Sequence, residues 1–209
     1  MVEKERSDRS ASPIEMVYLA KWIAHYQPAL FIESGSDIGY SAECICEALD
    51  KHVEKPLFYT VEPDPARAHY TRTRLARFPF ATSITDKSDR WLKTWPRRVN
   101  APVAFFIDGP KGVKMLPVFA DIMRRFTNIQ FIAIHDCYEG GQQREVVIQF
   151  FAHEYLTMFT GLPNRQLGIV FVGLGPVVGK RERAAWQFLR WVRHRIGMAL
   201  LPLARRVLR

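Results

Sequence analysis

The chain has 209 residues, of which 48% are hydrophobic and 12% aromatic, and its formal net charge is +9 at pH 7. This length and composition indicate one globular domain with a substantial core and exclude a disordered or fibrous chain. The charge lies at one end, because residues 180–209 hold nine Lys or Arg against one acid, and residues 1–179 are nearly neutral. No specific nucleic-acid partner is therefore predicted, since the body offers no continuous basic surface.

The first residues predict a disordered lead over 1–12, followed by a helix. Ser12 is placed as an N-cap with Pro13 at the first helical position, and apolar residues then recur at helical spacing until Pro28. The folded domain is therefore expected over residues 13–179.

Five apolar runs then alternate with helical patterns. The strands are predicted at 29–33, 56–61, 80–85, 102–107 and 129–134, and the helices at about 40–51, 64–77, 88–95, 112–126 and 141–159. Near-continuous apolar strands separated by helices indicate a mostly parallel sheet covered on both faces, which is a Rossmann-like three-layer α/β sandwich. A final hairpin is predicted from residues 167–173 and 176–179, with Leu174 and Gly175 as its turn, and it adds an antiparallel edge to a seven-stranded sheet.

The first strand ends in an acid and two glycines, Glu33-Ser34-Gly35-Ser36-Asp37-Ile38-Gly39, before a helix begins. Glycine lacks the Cβ that would block close approach, so such a loop can bring backbone N–H groups and a helix N-terminus up to a ligand. Two glycines near a strand end are also common turn residues, and the interpretation depends on the other strand ends.

Polar residues follow each of the other parallel strands as well. In an open α/β sheet, ligands bind outside the carboxyl ends of the strands. A glutamate at the second strand end, Glu62, suits the hydroxyls of a ribose, although it could equally cap the next helix. The four segments concerned are Glu62-Pro63-Asp64, Asp86-Lys87-Ser88-Asp89, Asp108-Gly109-Pro110-Lys111 and His135-Asp136-Cys137.

These motifs resemble those of the class I S-adenosylmethionine-dependent methyltransferases over residues 29–178. Glu33-x-Gly35-x-x-x-Gly39 is similar to the first motif of that family, and Glu62 to its ribose-binding acid. Residues 106–111 with 134–136 look more narrowly like bacterial small-molecule and sugar O-methyltransferases. The resemblance implies S-adenosylmethionine as cofactor and the following cofactor-binding residues: Glu33, Gly35, Ser36, Asp37, Gly39, Tyr40, Ser41, Glu62, Pro63, Asp86, Lys87, Ser88 and Asp108.

Two positions depart from the family pattern. Asp37 stands where family members often carry a third glycine, although aspartate tolerates a left-handed backbone better than most residues. Lys87 stands where an acid commonly precedes a serine and meets the adenine amino group.

Methyl transfer to a hydroxyl requires alignment of donor and acceptor and removal of the hydroxyl proton. The predicted catalytic residues are Asp108, Lys111 and His135, with Lys111 or His135 as the proton acceptor. The spacing Asp108-x-x-Lys111 also resembles catechol-type O-methyltransferases, which implies a divalent cation such as Mg²⁺ bound by Asp108 and Asp136. A metal-free acid and base pair is the alternative.

Residues 180–209 predict a basic amphipathic helical tail, interrupted at Pro202. Its pattern fits an anionic membrane surface, packing on its own domain or a homodimer contact. The chain has no apolar stretch of about 18 residues and no apolar signal-peptide core, and its three cysteines fit a reducing compartment. A cytoplasmic location is therefore predicted, with the inner membrane face as the site of any peripheral binding.

The sequence favours an S-adenosylmethionine-dependent O-methyltransferase acting on a small-molecule or glycan-type acceptor. The alternative is a non-catalytic binding or assembly protein that retains the methyltransferase scaffold. A protein binding NAD or a nucleotide sugar is disfavoured, because the spacing of Gly35 and Gly39 lacks the G-x-G-x-x-G form.

Overall fold

A computed structural model describes residues 11–96, 99–137, 142–150, 156–160 and 168–173. Six α-helices lie within these residues: α1 (Pro13–Tyr26), α2 (Tyr40–His52), α3 (Pro65–Leu75), α4 (Ser88–Trp91), α5 (Leu116–Arg125) and α6 (Gln142–Phe150). Two 3₁₀-helices cover Leu92–Thr94 and Gly112–Met115. The strands are β1 (Leu30–Ser34), β2 (Leu57–Glu62), β3 (Ala81–Thr85), β4 (Val103–Ile107), β5 (Ile129–Ile134), β6 (Leu156–Thr160) and β7 (Gly168–Gly173).

The seven strands form one sheet in the order β3-β2-β1-β4-β5-β7-β6. Strands β1 to β5 pair in parallel, and β7 runs antiparallel to both β5 and β6. The predicted Rossmann-like sandwich with an antiparallel C-terminal hairpin is confirmed. The strand order reverses between β1 and β4, and such a switch point is where open α/β sheets bind ligands.

The hairpin is built from different residues than the sequence indicates. The predicted strand at 167–173 is present as β7, but its partner in the described residues is β6, with Leu156 opposite Val172 and Thr160 opposite Gly168. The helix predicted over 141–159 is therefore wrong at its end, because residues 156–160 form a strand. The predicted turn at Leu174 and Gly175 and the strand at 176–179 lie outside the described residues.

Side chains of the central strands alternate between two cores. Ile32 and Phe105 pack on the face covered by α5 and α6, whereas Phe31 and Phe106 pack on the face covered by α1 and α2. All four side chains are no more than 2% exposed. Burial on both faces explains why these strands read as continuous apolar runs rather than as alternating patterns.

The start of the folded region precedes the predicted boundary at Pro13. Ala11 and Ser12 are buried, and Ser12 is the N-cap of α1, as predicted, forming a capping box with Glu15. Residues 1–10 and the predicted tail at 180–209 lie outside the described residues. Within the part of the chain that the structure describes, no helix is long and apolar enough to cross a membrane.

Candidate active site

The loop after β1 depends on both of its glycines. Gly35 has φ 88°, and a Cβ there would lie 3.0 Å from the backbone nitrogen of Gly109. Gly39 has φ 84°, and a Cβ there would lie 2.9 Å from Cα of Thr71. A side chain at either position would combine backbone strain with a clash against another backbone, so the loop is pressed between β4 and α3.

Asp37 adopts the left-handed conformation, with φ 49°, at the place where the family resemblance anticipates a glycine. Its carbonyl accepts a hydrogen bond from Oγ1 of Thr71 at 3.1 Å, and its carboxylate pairs with Arg67 at 3.1 Å. Aspartate is among the residues that occupy this region most readily. Asp37 therefore takes the left-handed conformation without a glycine, and Thr71 and Arg67 of α3 contact it in that conformation.

Glu33 lies in β1, just before the loop. It has no exposed surface, and its two carboxyl oxygens accept hydrogen bonds of 2.6 Å from Ser41 and Thr60. Burial raises the pKa of Glu33 to about 8 despite these hydrogen bonds. These side chains join β1, β2 and the start of α2 to each other, and a role of Glu33 and Ser41 in cofactor binding stays a prediction.

Two more predicted cofactor residues have buried side chains. Tyr40 is 6% exposed and belongs to the core under α2, and Ser36 is 3% exposed with its hydroxyl 3.1 Å from that of Thr71. Both residues therefore support the loop with their side chains.

Glu62, at the end of β2, lies directly beside the loop. Its Oε2 accepts the backbone N–H of Asp37 and its Oε1 that of Asp64, each at 3.1 Å. Burial raises the pKa of Glu62, and the two backbone hydrogen bonds oppose that rise. Asp64, not Glu62, caps α3 through its own side chain, and ribose binding by Glu62 stays a prediction.

The predicted cofactor residues after β3 differ in burial. Ser88 is buried and its hydroxyl lies 2.6 Å from that of Ser34 in β1, so it ties α4 to the central strand. Asp86 accepts hydrogen bonds from the backbone of Lys87 at 2.6 Å and from Arg90 at 2.5 Å. Lys87 and Pro63 are exposed.

A compact charged cluster forms where β4 and β5 end. Asp108 accepts hydrogen bonds from Lys111 and, at 2.8 Å, from Nδ1 of His135. Nζ of Lys111 lies 2.6 Å from Oδ2 of Asp136. The predicted catalytic residues Asp108, Lys111 and His135 are therefore brought together, with Asp136 beside them.

Both nitrogen groups of this cluster are cations at neutral pH. Burial disfavours a charged imidazole, yet hydrogen bonds to Asp108 and Glu15 outweigh it and raise the pKa of His135 to about 10. Burial likewise opposes the charge on Lys111, but the carboxylates of Asp108 and Asp136 raise the pKa of its ammonium. Neither nitrogen is a free base in this arrangement.

Glu15 of α1 is the site residue that sequence reasoning missed. Its side chain is fully buried, and its Oε2 lies 3.3 Å from Nε2 of His135 and accepts the backbone N–H of Ser12 at 2.8 Å. Burial raises the pKa of Glu15, but His135 and Ser12 outweigh it, and the net pKa is lowered. The sequence signals only the capping role of Glu15, since 120 residues separate it from His135.

Replacing Glu15 by Gln is expected to lower the pKa of His135 by about 1–3 pH units, because an opposite charge at this distance has an effect of that size. Gln retains the capping-box function, so α1 should persist. NMR titration of the His135 ring signals measures the change, with Glu47→Gln on the exposed face of α2 as the control. An unchanged His135 pKa would show that Glu15 does not hold the imidazolium.

The cluster brings three possible ligand atoms for a divalent cation together, but Lys111 already contacts the two carboxylates that would hold the ion. Asp108, His135 and Asp136 each offer a ligand atom, and these atoms lie within 4.8 Å of one another. Histidine is a poor ligand for Mg²⁺, and the ammonium of Lys111 already bridges the two carboxylates. In this arrangement the predicted metal ligands Asp108 and Asp136 bind Lys111 instead.

No model of a known protein family matches the chain, and neither does any curated protein. Solved structures do match, and they define its fold as that of the class I S-adenosylmethionine-dependent methyltransferases, in agreement with the sequence motifs.

Three solved structures illustrate the similarity. The O-methyltransferase TomG of Streptomyces achromogenes, involved in tomaymycin synthesis and solved with S-adenosylmethionine, has a TM-score of 0.66 at 17% identity, over 80% of this chain and 83% of that one. The methyltransferase PaMTH1 of Podospora anserina, bound to S-adenosylhomocysteine, has a TM-score of 0.61 at 14% identity, over 80% of this chain and 81% of that one. An O-methyltransferase of Bacillus cereus, also with S-adenosylhomocysteine, has a TM-score of 0.59 at 14% identity, over 79% of this chain and 82% of that one.

Proposed function

We propose that the protein is a class I S-adenosylmethionine-dependent O-methyltransferase that acts on a hydroxyl of a small-molecule or glycan-type acceptor. The observation that carries this proposal is the placement of two groups of residues on either side of the switch point. The glycine loop and Glu62 lie at the ends of β1 and β2, and the charged cluster lies at the ends of β4 and β5. The similar folds with bound S-adenosylmethionine or S-adenosylhomocysteine support the same cofactor here.

S-adenosylmethionine would be bound by Glu62 and by the backbone of the glycine loop. Each oxygen of Glu62 accepts one backbone N–H and retains a lone pair that can accept a ribose hydroxyl. The N-terminus of α2 at Tyr40 and the approach of Gly35 to Gly109 bring backbone groups to the same edge of the sheet.

The charged cluster would remove the proton of the acceptor hydroxyl. We assign this role to Asp136 rather than to Lys111 or His135, because both nitrogens already donate hydrogen bonds to carboxylates. The side chain of Asp136 is 39% exposed, and the nearest ion-pair partner of its Oδ1 is His135 Nδ1 at 3.5 Å. That oxygen can accept a hydroxyl proton as the methyl group transfers, while Asp108 fixes Lys111 and His135.

Calorimetry with S-adenosylmethionine tests cofactor binding. The wild type is expected to bind, and Glu62→Gln is expected to weaken binding by about 10–100-fold, the effect of losing hydrogen bonds to a charged group. Glu54→Gln is the matched control, because the side chain of Glu54 is 90% exposed at the far end of α2.

A panel of hydroxylated acceptors, followed by the release of S-adenosylhomocysteine, tests the reaction itself. Release that depends on the acceptor supports the enzyme. A wild type that does not bind S-adenosylmethionine at all would contradict the proposal and favour the non-catalytic scaffold.

A further inference from the structure

We infer that the ammonium of Lys111 is the resident cation of the charged cluster and occupies the position that a divalent ion would need between Asp108 and Asp136. Nζ of Lys111 lies 2.6 Å from Oδ2 of Asp136 and donates to Oδ1 of Asp108. A Mg²⁺ ion must approach its oxygen ligands to about 2.0–2.1 Å. An ammonium at hydrogen-bonding distance from both carboxylates fills the space from which an ion could do so.

The charges of the cluster lead to the same conclusion. Lys111 places its positive charge between the carboxylates of Asp108 and Asp136. A divalent ion added between these two carboxylates would meet the ammonium at close range.

The backbone that carries Lys111 is tied to the end of β5, and from it the side chain of Lys111, which is 48% exposed, reaches both carboxylates. The N–H of Gly112, the next residue, donates to Oε1 of Gln143 at 2.8 Å. The side-chain amide of Gln143 donates to the carbonyl of His135 at 3.2 Å, and Gln143 is buried. Gln143 therefore ties the backbone that carries Lys111 to the end of β5, where Asp136 begins the next loop. Lys111 could leave only by breaking two charge-assisted hydrogen bonds.

Removing the amine should convert the cluster into a metal site. In Lys111→Met, the oxygens of Asp108 and Asp136 lose their cation while His135 keeps both of its carboxylate partners. Carboxylates suit Mn²⁺, which serves as the probe. The variant is expected to bind Mn²⁺ at least tenfold more tightly than the wild type, measured by calorimetry, and to lose that gain when Asp136→Asn is added.

Two controls separate charge from a general effect of mutation. Lys111→Arg keeps a cation between the carboxylates and should bind Mn²⁺ no better than the wild type. Lys114→Met removes an exposed lysine three residues away and should also leave Mn²⁺ binding unchanged. Thermal melts establish that each variant is folded before titration.

Either of two results would overturn the inference. Wild-type protein that binds Mn²⁺ as tightly as Lys111→Met would show that the ion displaces the lysine. A folded Lys111→Met variant without any gain in affinity would show that the carboxylates do not form a cation position. Because the readout is metal binding, both results are independent of whether S-adenosylmethionine binds and of the proposed activity.

Discussion

Asp136→Asn is expected to lower kcat/KM for methyl transfer by about 10²–10⁴-fold, the contribution of a positioned proton acceptor. Asparagine has the same shape and, like aspartate, tolerates the left-handed backbone of this residue, whose φ is 59°. The fold should therefore survive while the carboxylate is lost. The measurement is acceptor-dependent release of S-adenosylhomocysteine across a range of acceptor concentrations.

The affinity of Asp136→Asn for S-adenosylmethionine provides the internal control for this variant. Affinity for S-adenosylmethionine should change by less than about threefold in Asp136→Asn, because Glu62 and the glycine loop are untouched. Asp50→Asn, at an exposed position near the end of α2, should alter neither quantity. Activity of Asp136→Asn close to that of the wild type would move the proton acceptor to another group.

The buried carboxyl of Glu33 should make the protein less stable as the pH rises. Its pKa is raised from an ordinary 4.5 to about 8 in the folded protein, chiefly by burial. Between these values, the folded state holds a proton that the unfolded state has released. The free energy of unfolding therefore falls with rising pH across this window, by at most about 1.4 kcal/mol per pH unit from this group.

Glu33→Gln isolates that contribution, because a glutamine resembles the neutral acid and can still bond the hydroxyls of Ser41 and Thr60. The free energies of unfolding of variant and wild type should be similar near pH 5. Their difference should then grow in favour of the variant by up to several kcal/mol by pH 8. Urea unfolding at a series of pH values provides the measurement.

His135 contributes with the same sign at higher pH, between its ordinary 6.5 and about 10, but it does so in both proteins. It therefore cancels in the comparison of the two. Parallel stability curves for Glu33→Gln and the wild type would show that Glu33 ionises as it would in water.

Much of the fold follows from local sequence features. The central parallel strands β1, β4 and β5 are visible because burial on both faces makes runs such as 102–107 apolar throughout. The start of α1 is visible from Ser12 and Pro13. Strand β6 is not visible, because residues 156–160 continue a helical apolar pattern and become a strand only by pairing with β7.

Some residues of the candidate site can likewise be predicted from the sequence, and others cannot. Strand ends reveal Glu62, Asp108 and His135, since parallel strands bring their carboxyl ends to one edge. They do not reveal which acids are buried, so the burial of Glu33 could not be anticipated. Nor do they reveal Glu15, because the docking of α1 against the sheet is a tertiary contact that leaves no signal in the local sequence.

One oxygen of Glu15 contacts both the start of α1 and the charged cluster. Its Oε2 accepts the backbone N–H of Ser12, which helps to begin α1, and also meets the ring of His135. Shortening the chain to Pro13 would remove that N–H donor and fray the helix end directly behind the imidazolium. Expression designs and purification tags should therefore leave Ala11 and Ser12 in place, because the cap that begins α1 also supports the charged cluster.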